Sequence, residues 1–421
     1  MCGYYYSTID HPRNTDNLKR RGPEGWHMLE NDLGKFGHAL LNTIGEKVLQ
    51  PLQATKGVLL YNGSVYNVKP KNDSKWIADT LSSDIDQCVD FIKTLNGEFS
   101  LTWATEEFVI FCTDTFGIRP LYYHHGIGLT TASLFDVFEG PRVRCAPNVI
   151  YIYHRKKDLI ETRSNTEWDL TQKIHSWDQT WEAFDRAVFD RHDDSVYAVS
   201  GGYDSGTIMA SAIKQFGEVL CVNNVPNGEH QTLMERHRKN PIQPVPYINN
   251  PACVDLEELF TMTGNIELKN SMATYGQSAY IKKWMLPQGR KVLVTGEGGD
   301  EIYSDYGYHG VRLRSHSKTG GFFPKNLSTV WPWYDNEQIL SKYVGRAEAV
   351  GGYWGIELRL PLLDKRLVQA WLRTTDRLKN TEYKGWMAQY MRDHDMPFDQ
   401  YKKAGYGEGY KKNESLGDIK F

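Results

Sequence analysis

The sequence has no apolar run near the roughly 18 residues that a membrane-spanning helix needs. Its first residues also lack the charged and apolar regions of a secretory leader. Both absences point to a soluble, cytoplasmic chain with no membrane partner. Excess charge is lacking too: 49 Lys and Arg against 52 Asp and Glu leave a formal net charge of −3. No broad basic field is therefore offered to nucleic acid. Cysteine is sparse. The six (Cys2, Cys88, Cys112, Cys145, Cys221, Cys253) contain no CxxC pair and no zinc spacing. They read as reduced, mostly buried thiols rather than disulfides or a metal centre. What remains is length: 421 residues suffice for two or three domains with cores of their own.

The most informative stretch is Ser200-Gly201-Gly202-Tyr203-Asp204-Ser205, which follows the apolar run Ser195 to Val199. The pattern predicts a strand, a tight loop, and a helix from Gly206 to Phe216. Such a junction aims unpaired backbone N–H groups at one spot beside the positive end of a helix, where an anion sits. Two glycines allow close approach of a phosphate, two serines add donors, and Asp204 can hold magnesium. No Gly-Lys-Ser/Thr closes the loop, so it is not a Walker A motif. A plain Gly-Ser surface turn is the other reading. Downstream, Gly217 to Val222 and Val245 to Ile248 read as strands, with His230 to Lys239 a charged helix between them. The βαβ order implies a parallel sheet. Upstream, His175 to Arg191 is amphipathic, with Trp177, Trp181, Phe184 and Val188 on one face.

A second loop, Thr295-Gly296-Glu297-Gly298-Gly299-Asp300-Glu301, ends the buried strand Lys291 to Val294. Acidic residues at the carboxyl end of a parallel strand fall in the crevice where such sheets bind ligands. Asp300 could complete a magnesium site with Asp204, and the backbone at Thr295-Gly296 would admit a nucleotide. A Gly-rich acidic surface loop is the alternative.

In the amino-terminal half, Cys2 precedes Gly3, and a small second residue permits removal of Met1. The freed α-amine, titrating near pH ~8, could then serve as base for the thiol of the same residue. Arg21-Gly22-Pro23-Glu24 sets an arginine before a turn, suited to gripping a carboxylate. The strand Val58 to Tyr61 runs into Asn62-Gly63, where a side-chain amide and a backbone N–H could stabilise an oxyanion. An ordinary Asn-Gly hairpin turn fits the same residues. A helical stretch from Ser74 to Leu95 follows Asp73, and Phe99 to Thr105 pairs with Phe108 to Asp114 as a hairpin.

Taken in order, Cys2, Arg21-Gly22-Pro23, Gly37-His38, Gln50-Pro51-Leu52, Asn62-Gly63, Asp73 and Asp114-x-x-Gly117-x-Arg119-Pro120-Leu121-Tyr122 resemble the class II (Ntn) glutamine amidotransferase domain. The Ser200–Ser205 loop resembles that of the PP-loop ATP-pyrophosphatases. With Thr295–Glu301, Gly355 to Lys365 and Lys384, it is similar to the synthetase domain of glutamine-hydrolysing asparagine synthetase, whose plan β-lactam and carbapenam synthetases share. The resemblance covers residues 1–153 and 176–410. It implies an α+β, αββα sandwich (Ntn hydrolase-like) over 1–155, a linker over 156–174, and an α/β domain with a parallel sheet of the adenine nucleotide α-hydrolase type over 175–421.

By the same resemblance, Cys2 is the nucleophile and Asn62 and Gly63 form the oxyanion hole. Arg21, Gly22, Pro23, Glu24, Ser64 and Asp73 complete the glutamine site. ATP would lie on Val199, Ser200, Gly201, Gly202, Asp204, Ser205, Val225, Thr295, Gly296 and Lys384, with Mg²⁺ on Asp204 and Asp300. Glu297 would be the base for ammonia, and Lys384 would neutralise charge developing on the phosphates. Glu357-Leu358-Arg359 reads instead as a structural acid and base. The implied enzyme is a carbon–nitrogen ligase that adenylates a carboxylate, by default aspartate, and forms an amide with ammonia from glutamine. Three departures stand out, one of them a segment between Cys2 and Arg21 that is much shorter than usual. Ser64 replaces the glutamate usual after Asn-Gly, and Lys402 to Gly409 only loosely matches the expected closing loop. They leave open a synthetase acting on another carboxylate with a weakened glutaminase, and a non-catalytic nucleotide-binding relative. A homodimer is also left open.

Overall fold

Alternating side chains build the first part of the structure, a computed structural model that describes residues 1–9, 14–43, 45–68, 72–223, 230–245, 254–265 and 271–399. Val225, the turn at 226–228, most of the expected strand at 245–248 and the loop at 402–409 lie outside the described residues. The chain divides into two units. The first is Met1–Glu167 with Leu256–Lys269 and Gly345–Glu357; the second is Trp168–Asp255, Asn270–Val344 and Leu358–Phe421.

The first unit holds two six-stranded sheets. One has the order β10-β8-β9-β1-β3-β2, from β1 (Gly3–Ser7), β2 (Trp26–Asn31), β3 (Gly34–Ala39), β8 (Tyr122–Gly126), β9 (Gly128–Ala132) and β10 (Val143–Arg144). The other runs β12-β11-β7-β6-β5-β4, from β4 (Leu52–Ala54), β5 (Gly57–Val65), β6 (Gly97–Ala104), β7 (Phe108–Thr113), β11 (Val149–His154) and β12 (Leu159–Ser164). The period of two along β5 shows how the layers form. Leu59 and Tyr61 face one core, whereas Val58 and Leu60 face the other.

Between the sheets lie Tyr4, Tyr6, Phe36, Leu60 and Phe111. Helices α2 (Asp73–Thr80) and α3 (Ile85–Thr94) cover the outside of the second sheet through Ile77, Val89 and Ile92. Helix α1 (Asp16–Arg21) and the helix Leu256–Thr263 cover the first through Leu18 and Met262. The order is helix, sheet, sheet, helix, as expected. The single stretch expected over 74–95 is broken in two, because Asp84 accepts from Gln87 N at 2.9 Å and so caps a new helix.

The division of the chain also differs from the expected one. Strand β12 pairs antiparallel with β11, so the residues up to Ser164 are sheet rather than linker. Leu256–Lys269 and Gly345–Glu357 pack in the first unit although they follow the second unit's first strands in sequence.

In the second unit, β13 (Ser195–Ala198) pairs in parallel with β14 (Leu220–Asn223) and β16 (Val292–Val294), and β14 with β15 (Ile242–Pro244). The sheet order is β15-β14-β13-β16-β19, with a small hairpin of β17 (Gly307–Tyr308) and β18 (Val311–Arg312) elsewhere and β19 at Glu357–Arg359. Helix α4 (Asp178–Arg191) buries Trp177, Phe184 and Val188, and Trp181 donates its indole N–H to Trp386 O at 3.0 Å. Helix α5 (Tyr203–Phe216) starts directly after the glycines of the first loop, so Asp204 and Ser205 stand in its first turn at the carboxyl end of β13.

Candidate active sites

Cys2 immediately precedes β1 and is 8% exposed. Its Sγ lies 3.4 Å from the N–H of Leu41, which donates to it. Burial pushes the thiol's pKa up, while the terminal amino group, where protonated, pulls it down. The terminal amine, here that of Met1, is itself lowered to about 5 by burial. The Met1 amine is thus neutral at pH 7. Met1 itself is buried, its sulfur 2.8 Å from Arg119 Nη1.

Cys2, Thr43, Gln50, Gly63, Ser64 and Asp73 line one cleft. Asn62 and Gly63 sit mid-strand, paired with Ser100 and Phe99, which removes the hairpin-turn reading. Gly63 has φ +138°, a conformation that favours glycine, and a Cβ there would overlap the carbonyl of Glu98. The Asn62 amide is fully buried, and neither its oxygen nor its nitrogen finds a partner among the described residues. An unpaired buried donor is costly unless something arrives to accept from it.

Asp73 opens α2, accepting from Tyr61 OH at 3.1 Å and from Ser74 N at 2.8 Å. Burial raises its pKa to about 6, and the charge of Glu357 adds to the shift. Glu357 itself is 3% exposed and accepts from Thr43 Oγ1 at 2.8 Å and Ser64 Oγ at 3.1 Å. Its position at the end of the Gly345–Glu357 return was not legible locally, and the expectation that it is merely structural is revised: it braces two cleft hydroxyls.

Arg21 is also placed differently. Only 1% exposed, it pairs with Glu348, and its Nε donates to Cys2 O at 3.0 Å. It therefore fixes the backbone of Cys2 and does not line the cleft. Gly22 is buried and Pro23 exposed, while Glu24 reaches the cleft residue Asn42, accepting from its N–H at 3.3 Å. Asp114 accepts from the N–H groups of Phe116, Ile118 and Arg119 at 3.0–3.1 Å, which makes that motif a structural cage.

In the second unit, the loop after β13 folds onto itself. Ser205 Oγ accepts from Ser200 N at 3.0 Å, and Gly202 N donates to Ser200 Oγ at 3.1 Å. Arg236 donates to the carbonyls of Ser200 and Gly202. Val199 is buried and Gly201 half-buried beside them. The two expected carboxylates meet on one cation: Lys384 Nζ is 2.5 Å from Asp204 Oδ1 and 2.7 Å from Asp300 Oδ1. Against the downward pull of burial, these carboxylates hold the Lys384 pKa well above its ordinary value.

Tyr383 OH donates to Asp300 at 3.1 Å. A Cβ at Gly296 would crowd Asp204 Cβ, so the two loops pack backbone to side chain. Thr295 is buried and Glu297 half-buried next to them. Glu301, absent from the expected set, is buried against Tyr306 OH at 2.6 Å, and burial with the charge of Asp300 raises its pKa to about 7. Two carboxylates gathered round a cation are oxygen donors of the kind a divalent metal takes, and among the described residues no group of three or more His, Cys, Asp or Glu forms a fuller set.

No curated protein matches the chain. Among solved structures it is similar to a glutamine phosphoribosylpyrophosphate amidotransferase from B. subtilis complexed with ADP and GMP, with 15% identity and a TM-score of 0.33 over 54% of this chain and 67% of that one. A structure described as the allosteric regulatory enzyme of purine biosynthesis gives 14% and 0.34 over 65% and 86%. A glutamine aminotransferase class-II domain protein from Silicibacter pomeroyi gives 12% and 0.25 over 39% and 98%. Residues 2–142 match the family model of the glutamine amidotransferase domain. That match begins at Cys2 and spans Asn62, Gly63 and Asp73, and it identifies this part of the chain as a glutamine amidotransferase domain.

Proposed function

We propose that the chain is a glutamine-dependent, ATP-consuming amide synthetase of the asparagine synthetase kind. At the first site, the Cys2 thiolate attacks the side-chain amide carbon of glutamine. The resulting oxyanion is met by Asn62 Nδ2 and the Gly63 N–H. The amine of Cys2, freed of Met1, carries the thiol proton to the leaving nitrogen, and ammonia departs. Water then cleaves the thioester to glutamate.

At the second site, a carboxylate, by default aspartate, attacks the α-phosphorus of ATP, and pyrophosphate leaves. Ammonia displaces AMP from the acyl-adenylate to give the amide. Adenylation is needed because AMP is a good leaving group where a carboxylate oxygen is not. Lys384 faces the charge that develops on the phosphates, Ser200 and Ser205 bind the pyrophosphate oxygens, and Glu297 takes a proton from the incoming nitrogen. A magnesium ion on Asp204 and Asp300 would screen the triphosphate.

The observation that carries this reading is the convergence of Asp204, Asp300 and Lys384 on one point beside the Ser200–Ser205 loop. Steady-state pyrophosphate release tests it: a first turnover should require aspartate alone, repeated turnover should also require glutamine or ammonia, and Cys2→Ala should lose the glutamine-dependent part alone. Aspartate inert under all conditions sinks the asparagine version.

A second reading, an acceptor other than aspartate with a weak glutaminase, is favoured by the pairing of Arg21 with Glu348. It leaves no Lys, Arg or His among the described residues lining the cleft. A panel of carboxylic acids with ammonia as nitrogen source distinguishes the two, since only the second reading gives turnover with an acid other than aspartate.

A further inference from the structure

The hydroxyls of Thr43 and Ser64 both end on one buried carboxylate. We propose that Glu357 is a positioning residue which fixes these two hydroxyls as acceptors and thereby makes the Cys2 cleft selective for a ligand bearing an α-ammonium group. The inference rests on the reading of Cys2 as a glutaminase nucleophile and adds what sets its head-group specificity.

A carboxylate can only accept, and a hydroxyl has a single hydrogen to give. Thr43 spends its hydrogen on Glu357 Oε2 at 2.8 Å, and Ser64 spends its own on Oε1 at 3.1 Å. Each oxygen is left with lone pairs only, and both residues line the cleft. Asp73 lines the same cleft with a third acceptor group. No Lys, Arg or His is among the described lining residues. Three acceptor groups with no cation beside them in the lining are the complement of an N–H-rich positive head.

The guanidinium of Arg119 lies within electrostatic reach of the buried Glu357. The small side chain of Ser64 matters here as well. Its short hydroxyl bridges from the cleft to a carboxylate supplied by a segment 293 positions away in sequence.

The test uses the full-length chain with Met1 removal confirmed by mass. Cys2 is alkylated with iodoacetamide, a neutral reagent that needs no ammonium grip, and protection is measured with L-glutamine and with its desamino analogue, glutaric acid monoamide. Wild type should be protected by glutamine and far less by the analogue. In Glu357→Gln the amide must donate to one of the hydroxyls, turning its hydrogen toward the cleft. Protection should then need about tenfold more glutamine, a loss in the range of one charge-assisted hydrogen bond.

The unprotected alkylation rate should not fall, since the charge of Glu357 raises the Cys2 pKa and its loss frees thiolate, and the weak effect of the analogue should not change. Ser64→Ala should shift glutamine protection in the same direction, and Glu357→Asp should restore part of it. Equal protection of wild type and Glu357→Gln overturns this inference and leaves the glutaminase reading standing. Failure of glutamine to protect wild type overturns the glutaminase reading and this inference with it. A lowered alkylation rate in both Glu357→Gln and Ser64→Ala would assign Glu357 to holding the fold and overturn the selectivity claim.

Discussion

Gly299 packs directly on the carboxylate of Asp204: a Cβ at position 299 would overlap Oδ1. The loop ending β16 is glycine-rich here because Asp204, carried in from the end of β13, occupies the space a side chain would need. Gly299→Ala must therefore push Asp204 away from Asp300 and Lys384. Pyrophosphate release should fall by at least about a hundredfold, with a stability loss of about 1–3 kcal/mol from overpacking. Glutamine hydrolysis at Cys2 should be unchanged. Assaying both reactions on one preparation checks this, and equal loss of both would contradict it.

Lys384 is 2% exposed and neutralises two half-buried carboxylates. Lys384→Met strands those charges, and breaking a pair of this kind costs about 3–5 kcal/mol when fully buried, less here because the aspartates touch solvent. Thermal unfolding without metal should show a lowered Tm. Magnesium should restore more of it in the variant than in wild type, since the ion takes over the missing charge. A variant that gains nothing from magnesium would count against Asp204 and Asp300 as its ligands.

The Asp73 carboxyl, raised to about 6 by burial, must be ionised to hold an ammonium. The KM for glutamine should therefore climb as pH falls below about 6, by up to roughly tenfold per unit. The linkage runs the other way for stability. A carboxyl with a raised folded pKa favours folding only while protonated, so its contribution is lost as pH rises from the ordinary range near 4 through 6. Asp73→Asn should accordingly be more stable than wild type at pH 7, by up to about 3 kcal/mol, while losing most glutamine affinity. Urea unfolding at pH 4 and pH 7 checks the sign, since the advantage should vanish at the lower pH.

Local pattern made some of this visible beforehand. The β6–β7 hairpin, α5 and the helix His230–Lys239 follow from periodicity and turn residues, and they stand where the sequence puts them. The Asn62-Gly63 pair misleads as a turn because the same glycine freedom that suits a hairpin also suits a strand at φ +138°. Arg21 and Glu357 were harder for a different reason. Their partners, Glu348 for the first and Thr43 and Ser64 for the second, lie some 300 positions away, and no local periodicity encodes a contact over that separation. Neighbours along the chain were legible; partners across it were not.

Asn62 presents the sharpest opposition between folding and the proposed chemistry. Its amide is fully buried, with both polar atoms unpartnered among the described residues, and each such group costs about 1–3 kcal/mol. Asn62→Leu, close in volume, removes both groups without opening a large cavity. The variant should be at least as stable as wild type, and by as much as about 2 kcal/mol more. If the amide nitrogen meets the oxyanion, kcat for glutamine hydrolysis should drop by about 10²–10³ with KM little changed, because the lost bond forms only in the transition state. A destabilised variant would mean that the amide is satisfied in the folded protein, and an unchanged kcat would take Asn62 out of the oxyanion hole.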